Sequence, residues 1–147
     1  MPRAGLTRDA VVAAALELVD TGGPAGFERL TLARVAERVG VAVPSLYKHV
    51  AGLDDLRRGV ALESVIALRA AITHEAVGRS GPVALRAVAQ SVRSFAAAHP
   101  GWYQAVQLTP ALGPDDALAA AAASTVEAIA AVLRGFDLPE DRTVDAV

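Results

Sequence analysis

The spacing of small, apolar and turn residues between positions 32 and 51 constrains the fold more than any other feature of the sequence. Ala36 lies four residues before Gly40, and Leu46 lies six residues after it. A small residue lets a second helix cross the first, a glycine accepts the backbone of a tight turn, and an apolar side chain anchors the second helix. The pattern therefore predicts a helix-turn-helix, with helices over about 31–39 and 43–50.

The remaining sequence also has the periodicity of helices. Apolar residues recur every three or four positions, and the alternation typical of strands never persists. Besides the helix-turn-helix we predict a first helix capped by Thr7, a fourth over about 53–76, and further helices ending at His99, over 102–108 and over 115–134. Residues 137–147 are typical of the start of another helix.

The expected fold class is all-α. A three-helix N-terminal head is joined by a long fourth helix to a helical C-terminal domain. We place the helix-turn-helix head at 1–52, the connecting helix at 53–79 and the C-terminal helical domain at 80–147, with "GRSGP" at 78–82 as the clearest boundary.

Composition narrows the possible classes of protein. The 147 residues are 53% hydrophobic and include no cysteine, which excludes disulfides and thiolate sites and fits the reducing cytoplasm. No apolar run approaches the ~20 residues that span a bilayer, so no membrane partner is expected. The net charge is −2, but residues 1–60 carry eight basic and seven acidic side chains and residues 61–147 carry six and nine. DNA binding would thus depend on local placement of charge.

The outward face of the second helix suits the major groove of DNA. With Leu46 held inward, this face presents hydroxyl, imidazole, amine and apolar groups that can contact phosphates or base edges. The hydroxyl of Thr31, at the start of the preceding helix, adds a phosphate contact. The candidate DNA-binding residues are Thr31, Val43, Pro44, Ser45, Tyr47, Lys48 and His49. For two of them a structural role is also open. The ring of Tyr47 packs on the first helix in one alternative, and His49 serves only as a helix C-cap partner in the other.

The segment "LTLARVAERVGVAVPSLYKHVAGLDDL" resembles the N-terminal DNA-binding domain of the tetracycline-repressor (TetR) family, over roughly residues 7–60. The segment "AAAHPGWYQAVQLTP" resembles a C-terminal domain type from one branch of that family. The resemblance implies a homodimeric transcriptional regulator whose heads bind a palindromic double-stranded operator and which a small-molecule effector releases. It also implies that 1–52 is the DNA-binding domain and that 80–147 is a ligand-binding and dimerisation domain, apparently incomplete at its C-terminus. One departure is Leu53, where the family commonly has a lysine that contacts phosphate, with Asp54 and Asp55 beside it.

The C-terminal half offers candidates for an effector pocket and no sign of catalysis. The pocket candidates are Phe95, His99, Trp102, Tyr103 and Gln107, with a structural role in the core of the second domain equally open for the tryptophan and tyrosine. We find no nucleophile motif, phosphate loop or metal-ligand spacing, and expect neither an enzyme nor a cofactor nor a metal site. The alternative function is a helical ligand-binding or protein-interaction module that does not use its head on DNA.

Overall fold

The computed structural model describes residues 5–113 and 115–136. Over these residues it contains seven α-helices and no strand, which confirms the all-α fold class. The helices are α1 (Arg8–Thr21), α2 (Leu32–Val39), α3 (Val43–Leu46), α4 (Leu53–Ala76), α5 (Gly81–Ala98), α6 (Pro100–Leu108) and α7 (Ala117–Leu133), with short 3-10 turns at Gly23–Ala25 and Arg134–Phe136. The helix predicted to start within 137–147 lies outside the described residues.

The helix ends follow local capping chemistry. The Thr7 hydroxyl accepts the Ala10 N–H at 3.1 Å, as its predicted N-cap role requires, and Asp9 follows in the first turn of α1. Asp116 caps α7 in the same way, accepting the Leu118 N–H at 3.1 Å. Helix α6 begins at Pro100 and not at the predicted Trp102, because proline is tolerated in a first helical turn, where its missing N–H costs no bond.

The chain divides into two compact units. Of the described residues, the first unit comprises 5–61 together with His99–Thr109, and the second comprises Leu62–Ala98, 110–113 and 115–136. Helix α4 begins in the first unit and ends in the second. The grouping differs from the predicted domains 1–52, 53–79 and 80–147 mainly because α6 belongs to the first unit.

Each unit has its own apolar interior. In the first unit the core includes Val11, Ala15, Val35, Leu46 and Leu56, each fully buried. In the second unit the buried side chains come from the later part of α4 and from α5 and α7: Val65, Leu68, Ile72, Ala84, Val88, Phe95, Leu118, Ala130 and Leu133.

One helical segment is more apolar than the sequence analysis allowed. Residues Ala117–Phe136 form a helix long and apolar enough to cross a membrane by length and composition, with a mean hydropathy of 1.5. The expectation that no run approaches that length is therefore wrong for this segment, where alanines dominate and charge enters only at Glu127 and Arg134. A single such helix is weak evidence for a membrane span, because apolar helices of soluble proteins meet the same criterion.

Candidate nucleic-acid interface

The turn between α2 and α3 is fixed by Gly40. Its φ of 74° and ψ of 35° are left-handed, a conformation in which glycine avoids the Cβ penalty. The Val41 N–H donates to the Ala36 carbonyl at 3.0 Å, and the Gly40 N–H donates to the Glu37 carbonyl at 3.2 Å. These two bonds form a Schellman cap, which ends α2 and sets the direction of the chain into α3.

The segment 43–50 separates a buried side from an exposed one. Leu46 and Val50 are 0% and 2% exposed, and Ala36 on α2 is 2% exposed. Helix α3 itself is shorter than the predicted 43–50, since only Val43–Leu46 is α-helical. Tight turns continue it, with the Val50 N–H donating to the Leu46 carbonyl at 3.0 Å, so the side chains keep a helical distribution.

The predicted DNA-binding side chains lie on the outer side of this segment. Pro44, Tyr47 and Lys48 are exposed, whereas Val43, Ser45 and His49 are half-buried. Tyr47 is 57% exposed, so packing against the first helix does not cover its ring.

The Thr31 side chain caps α2 and remains exposed. Its oxygen accepts the Arg34 N–H at 3.3 Å, an ordinary N-cap interaction. A hydroxyl that accepts in this way still has its own proton to donate. Capping α2 and donating to a phosphate are therefore compatible roles for this residue.

The structure adds an ion pair that the sequence analysis missed. Arg8, the first residue of α1, contacts both carboxylate oxygens of Asp55 at 2.7 and 2.8 Å and also donates to the His49 carbonyl at 3.1 Å. The hydrogen bond to Asp55 raises the pKa of Arg8, and the hydrogen bond from Arg8 lowers the pKa of Asp55. One of the two acidic groups beside Leu53 is thus paired with a cation.

The predicted effector-pocket residues do not form one site within either unit. Phe95 is buried on α5 in the second unit, whereas His99, Trp102, Tyr103 and Gln107 belong to the first unit. The sequence carried no sign of this separation, because an amphipathic pattern shows which face of a helix is buried but not against which partner.

Helix α6 is instead held against α1. The Trp102 indole N–H donates to the Leu16 carbonyl at 3.0 Å, and the ring stacks on His99 with centroids 4.3 Å apart. The His99 Nδ1 lies 2.7 Å from a carboxylate oxygen of Asp20. Gly101, which is buried, lets the two backbones approach closely, since an added Cβ would lie 2.6 Å from the Val19 carbonyl oxygen.

The second unit contains a cavity that the sequence analysis did not predict. It has a volume of about 380 Å³ and lies between the end of α4, the start of α5 and the end of α7. Small apolar residues such as Ala84, Ala128 and Val132 dominate its lining, with Thr73 and Arg79 among its polar residues. Within the described residues, no group of three or more His, Asp or Glu side chains can hold a metal ion.

The chain is similar to known proteins over most of its length. Residues 85–147 match the family description "Tetracyclin repressor-like, C-terminal domain". The HTH-type transcriptional regulator Rv0681 of Mycobacterium tuberculosis is 33% identical over 135 residues, which is 92% of this chain and 61% of that protein. These similarities support a regulator of the TetR type.

Other TetR-type proteins match nearly the whole chain. The HTH-type transcriptional repressor DrrR1 of Streptomyces coeruleorubidus is 31% identical over 147 residues, which is 99% of this chain and 50% of that protein. The crystal structure of a TetR variant from Acinetobacter baumannii AYE in complex with minocycline matches with a TM-score of 0.68 and 25% identity, covering 97% of this chain and 73% of that one. The chain thus spans about half to three fifths of the length of its sequence relatives.

Proposed function

We propose that this protein is a ligand-responsive transcriptional repressor of the cytoplasm. It binds a palindromic DNA operator as a homodimer, and a small-molecule effector releases it. The observation that carries the proposal is the two-sided segment 43–50, which follows a left-handed Gly40 and holds Leu46 inward while Tyr47 and Lys48 face outward. Segments of this kind place a few side chains in the major groove while the rest of the head contacts the backbone.

The groups on the outer side suit this role chemically. Lys48 supplies a positive charge for a phosphate or a guanine edge, Tyr47 and Ser45 supply hydroxyls, and Val43 supplies an apolar contact for a thymine methyl. Thr31 donates to a phosphate near the start of α2. The description of DrrR1 as a repressor supports repression as the direction of control.

The second unit supplies the site for the effector. Its cavity of about 380 Å³ falls within the range of roughly 300–1,000 Å³ that small-molecule sites occupy. A TetR variant binds minocycline on a similar fold, which supports a small organic effector. We place the effector in this cavity and no longer at Trp102, because Trp102 is packed on α1 of the head.

The effector acts by population shift. It binds best to the state whose heads are wrongly spaced for the operator, so its differential affinity for the two states sets how far DNA binding falls. The chain passes between the two units within α4, before α6 and after α6. These three crossings are the covalent routes by which a change in the second unit reaches the head.

A second candidate is a helical ligand-binding or protein-interaction module that does not use its head on DNA. It is favoured by Leu53 and by the exposed Asp54, because a carboxylate repels phosphates and leucine offers no cation in its place. Enrichment of duplexes from a random DNA pool discriminates between the candidates. We expect the folded protein to enrich a sequence with two inverted half-sites, whereas no enrichment at low salt would favour the second candidate.

A further inference from the structure

Three segments of the head meet at the guanidinium group of Arg8. Arg8 is the first residue of α1, and its guanidinium donates two hydrogen bonds to the Asp55 carboxylate in the first turn of α4. It also donates to the carbonyl of His49 near the end of the segment 43–50. Asp55 in turn accepts the Ala51 N–H at 2.9 Å. The chain between the segment 43–50 and α4 is therefore held by two hydrogen bonds. Arg8 donates to the carbonyl of His49, and the N–H of Ala51 donates to Asp55.

The geometry of this junction restrains direction as well as distance. A bidentate pair between a guanidinium and a carboxylate fixes the plane of both groups, which a single point charge does not do. The segment it holds has only one short α-helix, Val43–Leu46, anchored by the fully buried Leu46. Without the junction, its far end is held only by the buried Val50 and by the local turn bonds that Leu46 accepts from His49 and Val50.

We propose that Arg8 is a positioning residue for DNA binding, which acts through Asp55 to hold the His49 end of the segment 43–50 in its DNA-facing orientation. The inference rests on the proposed function and deepens it. The pair also keeps the Asp55 carboxylate matched with a cation on a surface that meets phosphates. Arg8 need not touch the nucleic acid for its loss to weaken binding.

The competing role for Arg8 is a direct phosphate contact, and the two roles predict opposite effects of Asp55→Asn. If Arg8 contacts a phosphate, removing the Asp55 charge frees the guanidinium and strengthens DNA binding. If Arg8 positions the segment, the same substitution breaks the bidentate pair and weakens binding although it removes a negative charge. Asp54→Asn is the matched control, since it removes the same charge one residue away, from an exposed side chain outside the Arg8 junction.

The test measures the affinity of each variant for a duplex enriched by the wild-type protein from a random pool, at one fixed salt concentration. We expect Asp55→Asn to weaken binding about fivefold and Asp54→Asn to leave it unchanged or strengthen it about twofold. Arg8→Lys, which keeps the charge and loses the fork, should weaken binding about threefold. The double variant Arg8→Gln/Asp55→Asn should bind no more weakly than the weaker of its two single variants, because both remove one junction.

Tighter binding by Asp55→Asn, or wild-type affinity in Arg8→Lys, would overturn the positioning role. Circular dichroism establishes that each variant is folded, and Arg8→Lys decides the question if Asp55→Asn does not fold. Failure of this inference is distinct from failure of the proposed function, because in the latter case the wild-type protein itself enriches no duplex.

Discussion

The close approach of α6 to α1 predicts a large effect from a single added methyl group. At Gly101 an added Cβ would lie 2.6 Å from the Val19 carbonyl oxygen, 2.8 Å from Val19 Cγ1 and 2.9 Å from the Gly23 carbonyl oxygen. Two of these three neighbours are backbone atoms, which cannot rotate away as the end of a flexible side chain does. In Gly101→Ala the start of α6 must therefore move off α1.

The magnitude follows from the contacts at that start. Overfilling a packed interior costs about 1–3 kcal/mol, and loss of the bond from Trp102 to the Leu16 carbonyl costs about 0.5–1.5 kcal/mol. The higher helix propensity of alanine returns up to about 1 kcal/mol. We expect the free energy of unfolding to fall by about 1–3 kcal/mol.

Urea unfolding followed by tryptophan fluorescence measures this change directly, because Trp102 is the sole tryptophan of the chain. The native emission of Gly101→Ala should shift to the red as the indole gains water. Gly113→Ala is the control, since nothing lies within 4 Å of its added Cβ, and it should leave stability unchanged or raise it by up to about 1 kcal/mol. Equal stability and equal emission in the two variants would refute the packing of α6 on α1.

Two further predictions concern the head. Leu46→Ala should lower the free energy of unfolding by about 2–5 kcal/mol, because it empties a fully buried site. Tyr47→Ala, on the exposed side, should change the free energy of unfolding by less than about 1 kcal/mol. Equal losses of the two variants in urea unfolding would contradict the division of the segment 43–50 into a buried and an exposed side. The lowered pKa of Asp55 means that its pair with Arg8 stabilises the fold above the ordinary carboxyl value of 3.8, and that this stabilisation is lost as the pH falls through the lower folded value. The stability difference between wild type and Asp55→Asn should therefore be constant between about pH 5 and 7 and shrink below about pH 4, and a difference that grows on acidification would contradict it.

Local chemistry explains why much of the fold could be predicted from sequence. The bounds of α4, the cap at Thr7 and the turn at Gly40 each depend on residues within a few positions of one another. The burial of Leu46 follows in the same way, because the turn at Gly40 leaves one face of a short helix toward the core. The outward position of Tyr47 and Lys48 could be predicted for the same reason.

The start of α6, the length of α3 and the apolar character of Ala117–Phe136 were misjudged locally, but the other errors concern contacts between distant parts of the chain. Trp102 bonds to the carbonyl of Leu16, 86 residues away, and Arg8 pairs with Asp55, 47 residues away. The periodicity of α6 indicates a buried face equally well whether the helix packs on the head or in the second unit. The cavity in the second unit was missed for a related reason, since its lining residues come from three helices that are distant in sequence.

The central claim is that the outer side of the segment 43–50 contacts DNA, and the salt dependence of Lys48→Ala tests it most directly. The logarithm of the binding constant falls linearly with the logarithm of salt concentration, with a slope of about −0.9 per neutralised phosphate. Arg93→Ala, which removes the same charge from α5, is the control. If Lys48 contacts a phosphate, Lys48→Ala should bind DNA more weakly, and its plot of log binding constant against log salt concentration should be less steep by about one per lysine removed. Arg93→Ala should keep the wild-type slope. Wild-type affinity and slope in Lys48→Ala would contradict the assignment of this face to DNA.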